Sequence, residues 1–327
     1  MALSGLANKE LILFGGKGGV GKTSCAIAAG IELSKASKTL IISTDPAHSI
    51  SDCLEQKIGN RIQPIQGVEN LSAIEIIADE AFREFKEEHD KEIKSFLDTS
   101  TNLDDEDIDI LLDLSIPCID EIMSFIKIIS YIEKGMFKKY VVDTAPTGHA
   151  LRLISSPKLL DQLIKVIVKM RWKYRYMISR FSGSSQQDDM DTLLLNLKKT
   201  VKKIERLLCD SARSEFIPVC IPESMAILET KRLISALNTY NVKVRQMIVN
   251  NVIESEGCSF CKEKKKSQLK YMEQIGSYYN DLNRVVIPLF PSEITGIEKL
   301  NQLRILLFAN MLADEKGNRM MMANMII

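Results

Sequence analysis

The sequence has no excess of charge of either sign and no long uninterrupted apolar run. Its 43 Lys and Arg residues balance 43 Asp and Glu residues, which argues against the sequence-independent electrostatic binding expected of a nucleic-acid protein. No stretch reaches the apolar length that a membrane span requires, and no signal-peptide-like apolar segment precedes Leu11. We therefore expect a globular cytoplasmic protein with no transmembrane segment of its own and no nucleic-acid partner.

Cysteine is scarce, with seven residues that mostly stand alone within apolar segments. An odd number in this arrangement predicts reduced, buried thiols and not a disulfide framework. Only Cys258 and Cys261 form a C-x-x-C pair, which fits either a redox-active pair or half of a tetrahedral zinc site. Two chains related by a two-fold axis would supply four thiolates, so spacing and symmetry favour structural Zn²⁺ shared by a homodimer.

Short β-branched apolar runs alternate with helical stretches along the 327 residues. This alternation predicts an α/β fold with a mostly parallel, doubly wound sheet. The predicted strands are 11–14, 39–44, 71–76, 140–144, 216–221, 246–252 and 284–289.

Two long intervals have helical periodicity and little strand character, which predicts an α-helical subdomain inserted into the sheet domain. We expect a nucleotide-binding core over 1–76, 136–157 and 214–313, a helical subdomain over 77–135 and 158–213, and a flexible tail over 314–327.

Residues 15–23 read Gly-Gly-Lys-Gly-Gly-Val-Gly-Lys-Thr and directly follow the first predicted strand. They match the phosphate-loop pattern G-x-x-x-x-G-K-[ST] and predict a P-loop NTPase. The loop N–H groups and the following helix N-terminus would bind phosphates, Lys22 would neutralise the β and γ phosphates, and Thr23 would offer an oxygen to Mg²⁺. An ordinary phosphate loop does not need Lys17. The predicted nucleotide-binding residues here are Gly16, Lys17, Gly18, Gly19, Val20, Gly21, Lys22, Thr23 and Ser24.

Two acidic residues lie at the ends of predicted strands. Asp45 begins the segment Asp-Pro-Ala-His-Ser, and its carboxylate could orient or deprotonate a water that attacks the γ phosphate, although Asp-Pro alone is also a turn signal. Asp143 ends an apolar run and begins Asp-Thr-Ala-Pro-Thr-Gly-His, where it would contact Mg²⁺ or its waters opposite the phosphate loop. The chain has a single phosphate loop and no internal repeat, so a machine with two sites would require two chains.

Together these motifs resemble the arsenite-pump (ArsA-like) ATPase family, and most closely its eukaryotic single-domain branch, which targets tail-anchored membrane proteins to the endoplasmic reticulum. The resemblance spans nearly the whole chain and continues in Ile221-Pro222-Glu223, in Ile248-Val249-Asn250 and in the Cys258/Cys261 pair. It implies a homodimeric ATPase with a deviant Walker A motif. It also implies ATP and Mg²⁺ as cofactors, tail-anchored proteins as clients, a receptor at the endoplasmic reticulum membrane, and upstream co-chaperones.

The resemblance also implies roles for individual residues. Lys17 would reach across the dimer to the partner's phosphates, and Asp45 would activate water, so both are predicted catalytic residues. Asp143 would belong to the second switch, and Glu223 and Asn250 would lie near the nucleotide, although from the residues alone they could equally be a solvated acid and a strand-end turn residue. The loop that surrounds the base would consist of Pro288, Leu289, Phe290, Pro291, Ser292, Glu293, Ile294 and Thr295.

Apolar helical stretches flank a Ser- and Gly-rich linker over 182–187 and could form a groove for another apolar helix. Apolar helical stripes are usually core, but the resemblance favours a groove that shelters a client's transmembrane segment. The predicted groove residues are Leu163, Ile164, Ile167, Met170, Met177, Leu193 and Leu197.

Two other functions are weighed against this one. An arsenite or oxyanion pump would need a soft-metal site of several cysteines. Cys118 lies where a family cysteine can occur, but no second cysteine lies between it and Cys209, and the duplicated ATPase half of the pumps is missing. A redox-regulated holdase chaperone would use the C-x-x-C pair as its sensor and ignore nucleotide. The intact phosphate loop and the two strand-end acids argue against that second alternative.

Overall fold

The computed structural model describes residues 2–45, 49–88, 119–144, 189–254 and 256–308. Within these ranges the chain forms one eight-stranded sheet in the order β3-β4-β2-β5-β1-β6-β7-β8. All strand pairs are parallel except the short antiparallel pair of β3 with β4. The strands are β1 (Leu11–Gly15), β2 (Thr39–Ser43), β3 (Gln63–Pro64), β4 (Leu71–Glu75), β5 (Lys139–Asp143), β6 (Ser214–Cys220), β7 (Gln246–Val252) and β8 (Asn283–Pro288).

Helices connect these strands, and a 3-10 turn at Leu6–Asn8 precedes β1. The described α-helices are α1 (Lys22–Ser34), α2 (Ser49–Leu54), α3 (Ala78–Glu88), α4 (Ile119–Lys134), α5 (Asp189–Cys209), α6 (Ser224–Thr239), α7 (Ser259–Tyr278) and α8 (Gly296–Phe308). The seven predicted strands are confirmed to within two residues at each end. The mostly parallel, doubly wound α/β fold is confirmed as well.

The central strand β1 is buried along its whole length between β5 and β6. Its apolar side chains pack with those of α1, a helix rich in Ala and Ile whose residues are mostly inaccessible to solvent. Helix α8 packs on α1, and Arg304 joins the two helices through a 2.7 Å ion pair with Glu32. The phosphate loop therefore begins from a rigid strand and ends in a well-anchored helix.

A cluster of charged residues around buried Glu215 lies at the amino ends of the strands, opposite the ends that face the phosphate loop. Glu215, at the start of β6, is 3% exposed and lies 3.7 Å from Lys9 and 3.6 Å from Arg245. Burial is the main cause that raises the pKa of Glu215, while the charges of Lys9 and Arg245 oppose the rise. This cluster connects the beginnings of β1, β6 and β7 far from the strand ends that face the loop.

The described residues group into two compact units. One draws on Met1–Glu75, Phe137–Pro146 and Ser211–Ile327 and contains the sheet; the other draws on Ile76–Met136 and Thr147–Asp210. In the second unit α4 packs against α3 and α5, and Lys127 of α4 forms a 2.6 Å ion pair with Glu84 of α3.

A search of the described helices finds none with the length and apolarity needed to cross a bilayer.

Candidate active site

The phosphate loop lies against the carboxyl ends of β6 and β7, and two of its glycines are required there. Gly16 has φ +149°, and a Cβ at this position would lie 2.2 Å from the Val219 carbonyl oxygen. Gly21 has φ +91°, and its Cβ would lie 2.4 Å from Asn250 Nδ2. A side chain at either position would collide with a neighbouring strand end or its side chain. The two glycine slots of the predicted motif thus have a steric reason in this fold.

Lys22 is the first residue of α1 and is only 5% exposed. Its Nζ donates to the carbonyl oxygen of Lys17 at 3.3 Å, which holds the side chain back along the loop. Lys17 itself is half-buried. The loop therefore carries two lysines, of which Lys22 is buried and Lys17 is more accessible to solvent.

Thr23 and Asp143 form the closest polar contact of the site. The Thr23 hydroxyl donates to Asp143 Oδ2 at 2.6 Å, and the Ser49 hydroxyl donates to the same oxygen at 3.4 Å. Asp143 is held at the end of β5 because Thr144 donates its N–H and hydroxyl to the Phe14 carbonyl. Thr23 and Asp143, the two predicted Mg²⁺ ligands, are therefore in direct contact in the fold.

Asp143 is fully buried, and its Oδ1 has no hydrogen-bond partner within the described part of the chain. Burial, with a smaller contribution from the charge of Asp45, raises the pKa of Asp143 from 3.8 to about 6. The Thr23 hydrogen bond, the Lys22 charge and the Ser49 hydrogen bond oppose the rise. A buried carboxylate with an unused oxygen beside a threonine hydroxyl offers the hard oxygen ligands that Mg²⁺ prefers.

Asp45 follows β2 and is half-buried, with its N–H donating to the Ser43 hydroxyl at 3.1 Å. It is close enough to Asp143 for its charge to affect that residue's pKa. Residues 46–48, which follow it in the motif, lie outside the described residues. The two predicted strand-end acids therefore lie near each other at the carboxyl edge of the sheet.

Asn250 contacts the phosphate loop, and the predicted base loop contacts helix α2. Asn250 Nδ2 donates to the Val20 carbonyl at 2.9 Å, while Asn250 Oδ1 is buried without a partner among the described residues. The Ile294 carbonyl accepts from the Cys53 thiol at 3.4 Å, and that sulfur lies 3.6 Å from the Ser24 hydroxyl.

Most of the remaining base-loop residues are at least partly exposed at the same edge of the sheet. Leu289, 51% exposed, is fixed by its N–H bond to the Val252 carbonyl. Glu223, which follows the carboxyl end of β6, is exposed at the N-cap of α6, and its carboxylate is 3.8 Å from Lys264 of α7.

Three polar side chains of this region, those of Ser49, Ser51 and Glu75, are not among the predicted site residues. Ser49 contacts Asp143, and Ser51 on the same helix α2 binds the buried Glu75 at the end of β4. Ser49 is the last residue of the Asp-Pro-Ala-His-Ser motif that begins with Asp45. Its place in this motif was a sequence signal that it lies near the site. Glu75 had a weaker signal, an acid that ends an otherwise apolar predicted strand.

Cys258 and Cys261 lie together at the N-terminus of α7, with their sulfurs 2.7 Å apart. Cys258 is the exposed N-cap, and its sulfur accepts from the Cys261 N–H at 3.1 Å. Hydrogen bonding from the Cys261 side chain, then from its backbone, lowers the pKa of Cys258, while the contact with Cys258 raises the pKa of Cys261. No cluster of three or more potential metal ligands occurs among the described residues, so this pair supplies two thiol ligands on one chain.

Most of the predicted client groove lies outside the described residues, namely Leu163, Ile164, Ile167, Met170 and Met177. Leu193 and Leu197 belong to α5, but their side chains are not described. At the other end of the same stripe, Ile204 and Leu208 are each 4% exposed.

Comparison with known proteins gives a match to the family model described as anion-transporting ATPase over residues 9–309. Among the similar relatives is ATPase ASNA1 homolog 1 of Paramecium tetraurelia, 35% identical over 91% of this chain and 92% of that protein. ATPase ASNA1 homolog of Dictyostelium discoideum is 35% identical, with 88% and 86% covered. ATPase GET3 of Clavispora lusitaniae is 32% identical, with 89% and 87% covered.

Proposed function

The chain belongs to the anion-transporting ATPase family, and we propose that it is a homodimeric ATPase that shields the transmembrane segment of tail-anchored proteins in the cytosol and delivers them to the endoplasmic reticulum membrane. The family confirms the predicted P-loop ATPase class. The observation that carries the catalytic part of the proposal is the 2.6 Å contact of Thr23 with buried Asp143, directly behind the phosphate loop.

Each part of ATP hydrolysis is assigned to residues that the structure describes. The loop N–H groups and Lys22 bind the phosphates, and the Thr23 hydroxyl and Asp143 hold Mg²⁺ or its waters. Bound Mg²⁺ would neutralise the phosphate oxygens and the charge that develops on them. Asp45 orients and deprotonates the attacking water. Asn250 Oδ1, a buried acceptor without a partner in the described part of the chain, is available to a donor group of the nucleotide.

Lys17 is assigned a role between two chains. Lys22 already lies back along the loop on the carbonyl of Lys17, so a second lysine is not needed for phosphate binding within one chain. Supplied across a dimer interface, Lys17 would stabilise the charge of the transition state only when the two chains close. Hydrolysis would then depend on the geometry of the dimer.

The cysteine pair supports the dimer on chemical grounds. Structural zinc sites use four ligands, and exposed Cys258 and neighbouring Cys261 present two sulfurs on one surface. The lowered pKa of Cys258 favours the thiolate, the form that binds zinc. We assign this pair to a Cys₄ site formed by two copies of the chain on a two-fold axis.

Client binding is assigned to the helical subdomain, with the groove formed when two subdomains meet. The exposed apolar surface would then exist in the closed dimer only, which limits aggregation when no client is present. An oxyanion pump built from a duplicated ATPase half is less well supported, because this chain and the similar relatives match over nearly their full lengths with one ATPase half each.

ATP hydrolysis is tested with Asp45→Asn in the full-length protein. We expect the steady-state rate to fall by about 10²- to 10⁴-fold, since the variant cannot act as a general base, while binding of a fluorescent ATP analogue is retained. The matched control is Asp52→Asn, an exposed acid on α2, which should hydrolyse ATP at the native rate. Native turnover by the Asp45 variant would remove that residue from the mechanism.

Client binding is tested by co-purification with a tail-anchored membrane protein. Substitution of Leu163, Ile167 and Met170 by Asp should abolish capture while ATP hydrolysis is retained. The control is Leu269→Asp, an exposed apolar residue of α7 in the sheet unit. Equal capture by both variants would show that the groove is placed wrongly, and failure of the wild-type protein to capture the client would contradict the targeting function.

A further inference from the structure

Glu75 is a buried acid next to the candidate site, and the mechanism described above does not use it. It ends β4 and is 2% exposed. The backbone around it is fixed, since its N–H donates to the Gly59 carbonyl at 3.0 Å. A buried carboxylate is costly unless hydrogen bonds satisfy it, so its partners indicate what it stabilises.

Two hydrogen bonds to its carboxylate oxygens come from Ser51, in the middle of the six-residue helix α2. Glu75 Oε1 accepts from the Ser51 N–H at 2.9 Å, and Oε2 accepts from the Ser51 hydroxyl at 3.0 Å. The same hydroxyl accepts from the Ile58 N–H at 3.0 Å. One serine thus attaches α2 to the end of β4 and to the chain that leaves the helix.

Two other residues of the same helix contact the nucleotide site. Ser49, two residues before Ser51, donates to Asp143 Oδ2, the oxygen that also accepts from Thr23. Cys53, two residues after it, contacts the Ser24 hydroxyl and the Ile294 carbonyl. A helix of six residues has little stability of its own, so its position depends on such contacts.

We propose that Glu75 is a positioning residue for ATP hydrolysis, which holds α2 through Ser51 so that Ser49 is fixed against the Mg²⁺-binding carboxylate of Asp143. This inference rests on the proposed ATPase function. Glu75 acts through the hydrogen bonds to Ser51. Because a displacement of about 1 Å at a reacting group can lower a rate 10²-fold, loss of this attachment should reduce turnover more than nucleotide binding.

The chemistry of the contact provides a rescue variant. In Glu75→Gln, the amide oxygen can still accept from the Ser51 N–H, and the amide nitrogen can donate to the Ser51 hydroxyl, which then donates to the Ile58 carbonyl 3.0 Å away. The negative charge is lost, but two hydrogen bonds to Ser51 remain available. Glu75→Ala removes both bonds and leaves the Ser51 N–H buried without its acceptor.

The experiment compares kcat and KM for ATP in wild-type protein, Glu75→Ala and Glu75→Gln, together with hydrogen exchange of residues 49–54 without nucleotide. We expect Glu75→Ala to lower kcat at least about tenfold with KM changed less than about threefold, and to speed amide exchange in α2. Glu75→Gln should restore both quantities to near the wild-type values. Ser51→Ala, which keeps the N–H bond, should fall between them and serves if Glu75→Ala does not fold.

Glu215→Ala controls for a general loss of stability, because Glu215 is as buried as Glu75 but lies at the opposite end of the strands, and its loss leaves buried Lys9 without its carboxylate. It should lower the unfolding temperature without changing kcat or exchange in α2. Wild-type kcat in Glu75→Ala would overturn the proposal, as would an equal loss in Glu75→Gln or a loss confined to KM. If wild-type protein does not hydrolyse ATP, the proposed function fails, whereas the exchange rates of α2 still decide whether Glu75 holds the helix.

Discussion

In the proposed mechanism, the buried side chain of Asp143 serves catalysis at the expense of stability. Its carboxylate is removed from solvent and has one oxygen without a hydrogen-bond partner among the described residues. The same burial that leaves an oxygen for a cation raises the pKa of Asp143 to about 6. Without nucleotide and Mg²⁺, the ionised form should therefore destabilise the folded protein.

Asp143→Asn should stabilise the nucleotide-free protein at pH 7.5. The folded-state pKa lies above the ordinary value of 3.8, so the folded protein binds this proton more tightly than the unfolded chain. Stability is then lost as pH rises from about 4 to about 6, and the full cost, about 3 kcal/mol at most, is present above pH 6. We expect denaturant unfolding in EDTA to show a gain of about 1–3 kcal/mol at pH 7.5 that becomes small at pH 4.5.

The exposed Asp52→Asn measures the effect of removing a carboxylate from the protein surface. A stabilisation by Asp143→Asn of the same size at both pH values would contradict the assigned cause.

Sequence patterns predicted Thr23 and Asp143 as site residues because each occupies a recognisable place, after a glycine loop and at the end of an apolar run, and the structure brings the two into contact. The contact of Ser51 with Glu75 could not be read in the same way, because it joins positions 24 residues apart through the packing of a short helix. The sequence could not predict either that Asn250 Oδ1 lacks a hydrogen-bond partner among the described residues, because this depends on how closely β7 approaches Gly21.

Helix α5 illustrates the two interpretations of an apolar stripe. The predicted helix is present, and its C-terminal residues Ile204, Leu207 and Leu208 are each 4% exposed, with α4 as a packing partner. This end of the stripe belongs to the core of the helical unit. The assignment of Leu193 and Leu197, nearer the N-terminus, to a client groove stays a prediction.

Ile204→Ala or Leu208→Ala should destabilise the helical unit by about 2–5 kcal/mol, the usual cost of a cavity at a buried aliphatic position. Lys203→Ala, on the same helix, should cost less than about 1 kcal/mol, because its ion pair with Glu133 joins two half-exposed side chains. Chemical unfolding followed by circular dichroism measures both. Small losses in the two apolar variants would mean that this end of α5 is loosely packed.

The strands show the limits of periodicity more clearly than the helices. Continuous apolar runs predicted seven strands because buried parallel strands carry apolar residues on both faces. The pattern missed β3, whose two residues, Gln63 and Pro64, are half-buried or exposed and pair antiparallel with β4 at the edge of the sheet. A pair this short has no apolar signal of its own.

Assembly should depend on the cysteine pair at the start of α7. We expect purified protein to contain about one zinc ion per two chains and to sediment as a dimer, since four thiolates complete a structural site. Cys258→Ser should lose zinc and dissociate while α7 remains folded, because serine replaces cysteine as an N-cap. Metal analysis and sedimentation velocity measure the two effects.

Cys209→Ser controls for the loss of a thiol elsewhere, since Cys209 is half-buried at the end of α5. It should leave zinc content and sedimentation unchanged. Zinc-free wild-type monomer that still hydrolyses ATP would disprove the shared site without affecting the ATPase assignment.

The strand order also determines when the nucleotide site can assemble during synthesis. Leu11 of β1 pairs with Tyr140 on one side and with Ser214 on the other, and Asn250 contacts the phosphate loop from later still. Pairing across such sequence separations gives a high contact order and slow folding. Until β5 has been made both edges of β1 lack a partner strand, and the edge that pairs with β6 lacks one until β6 has been made. The complete nucleotide site therefore forms only after β7 has been made, and an emerging β1 would need protection by chaperones until then.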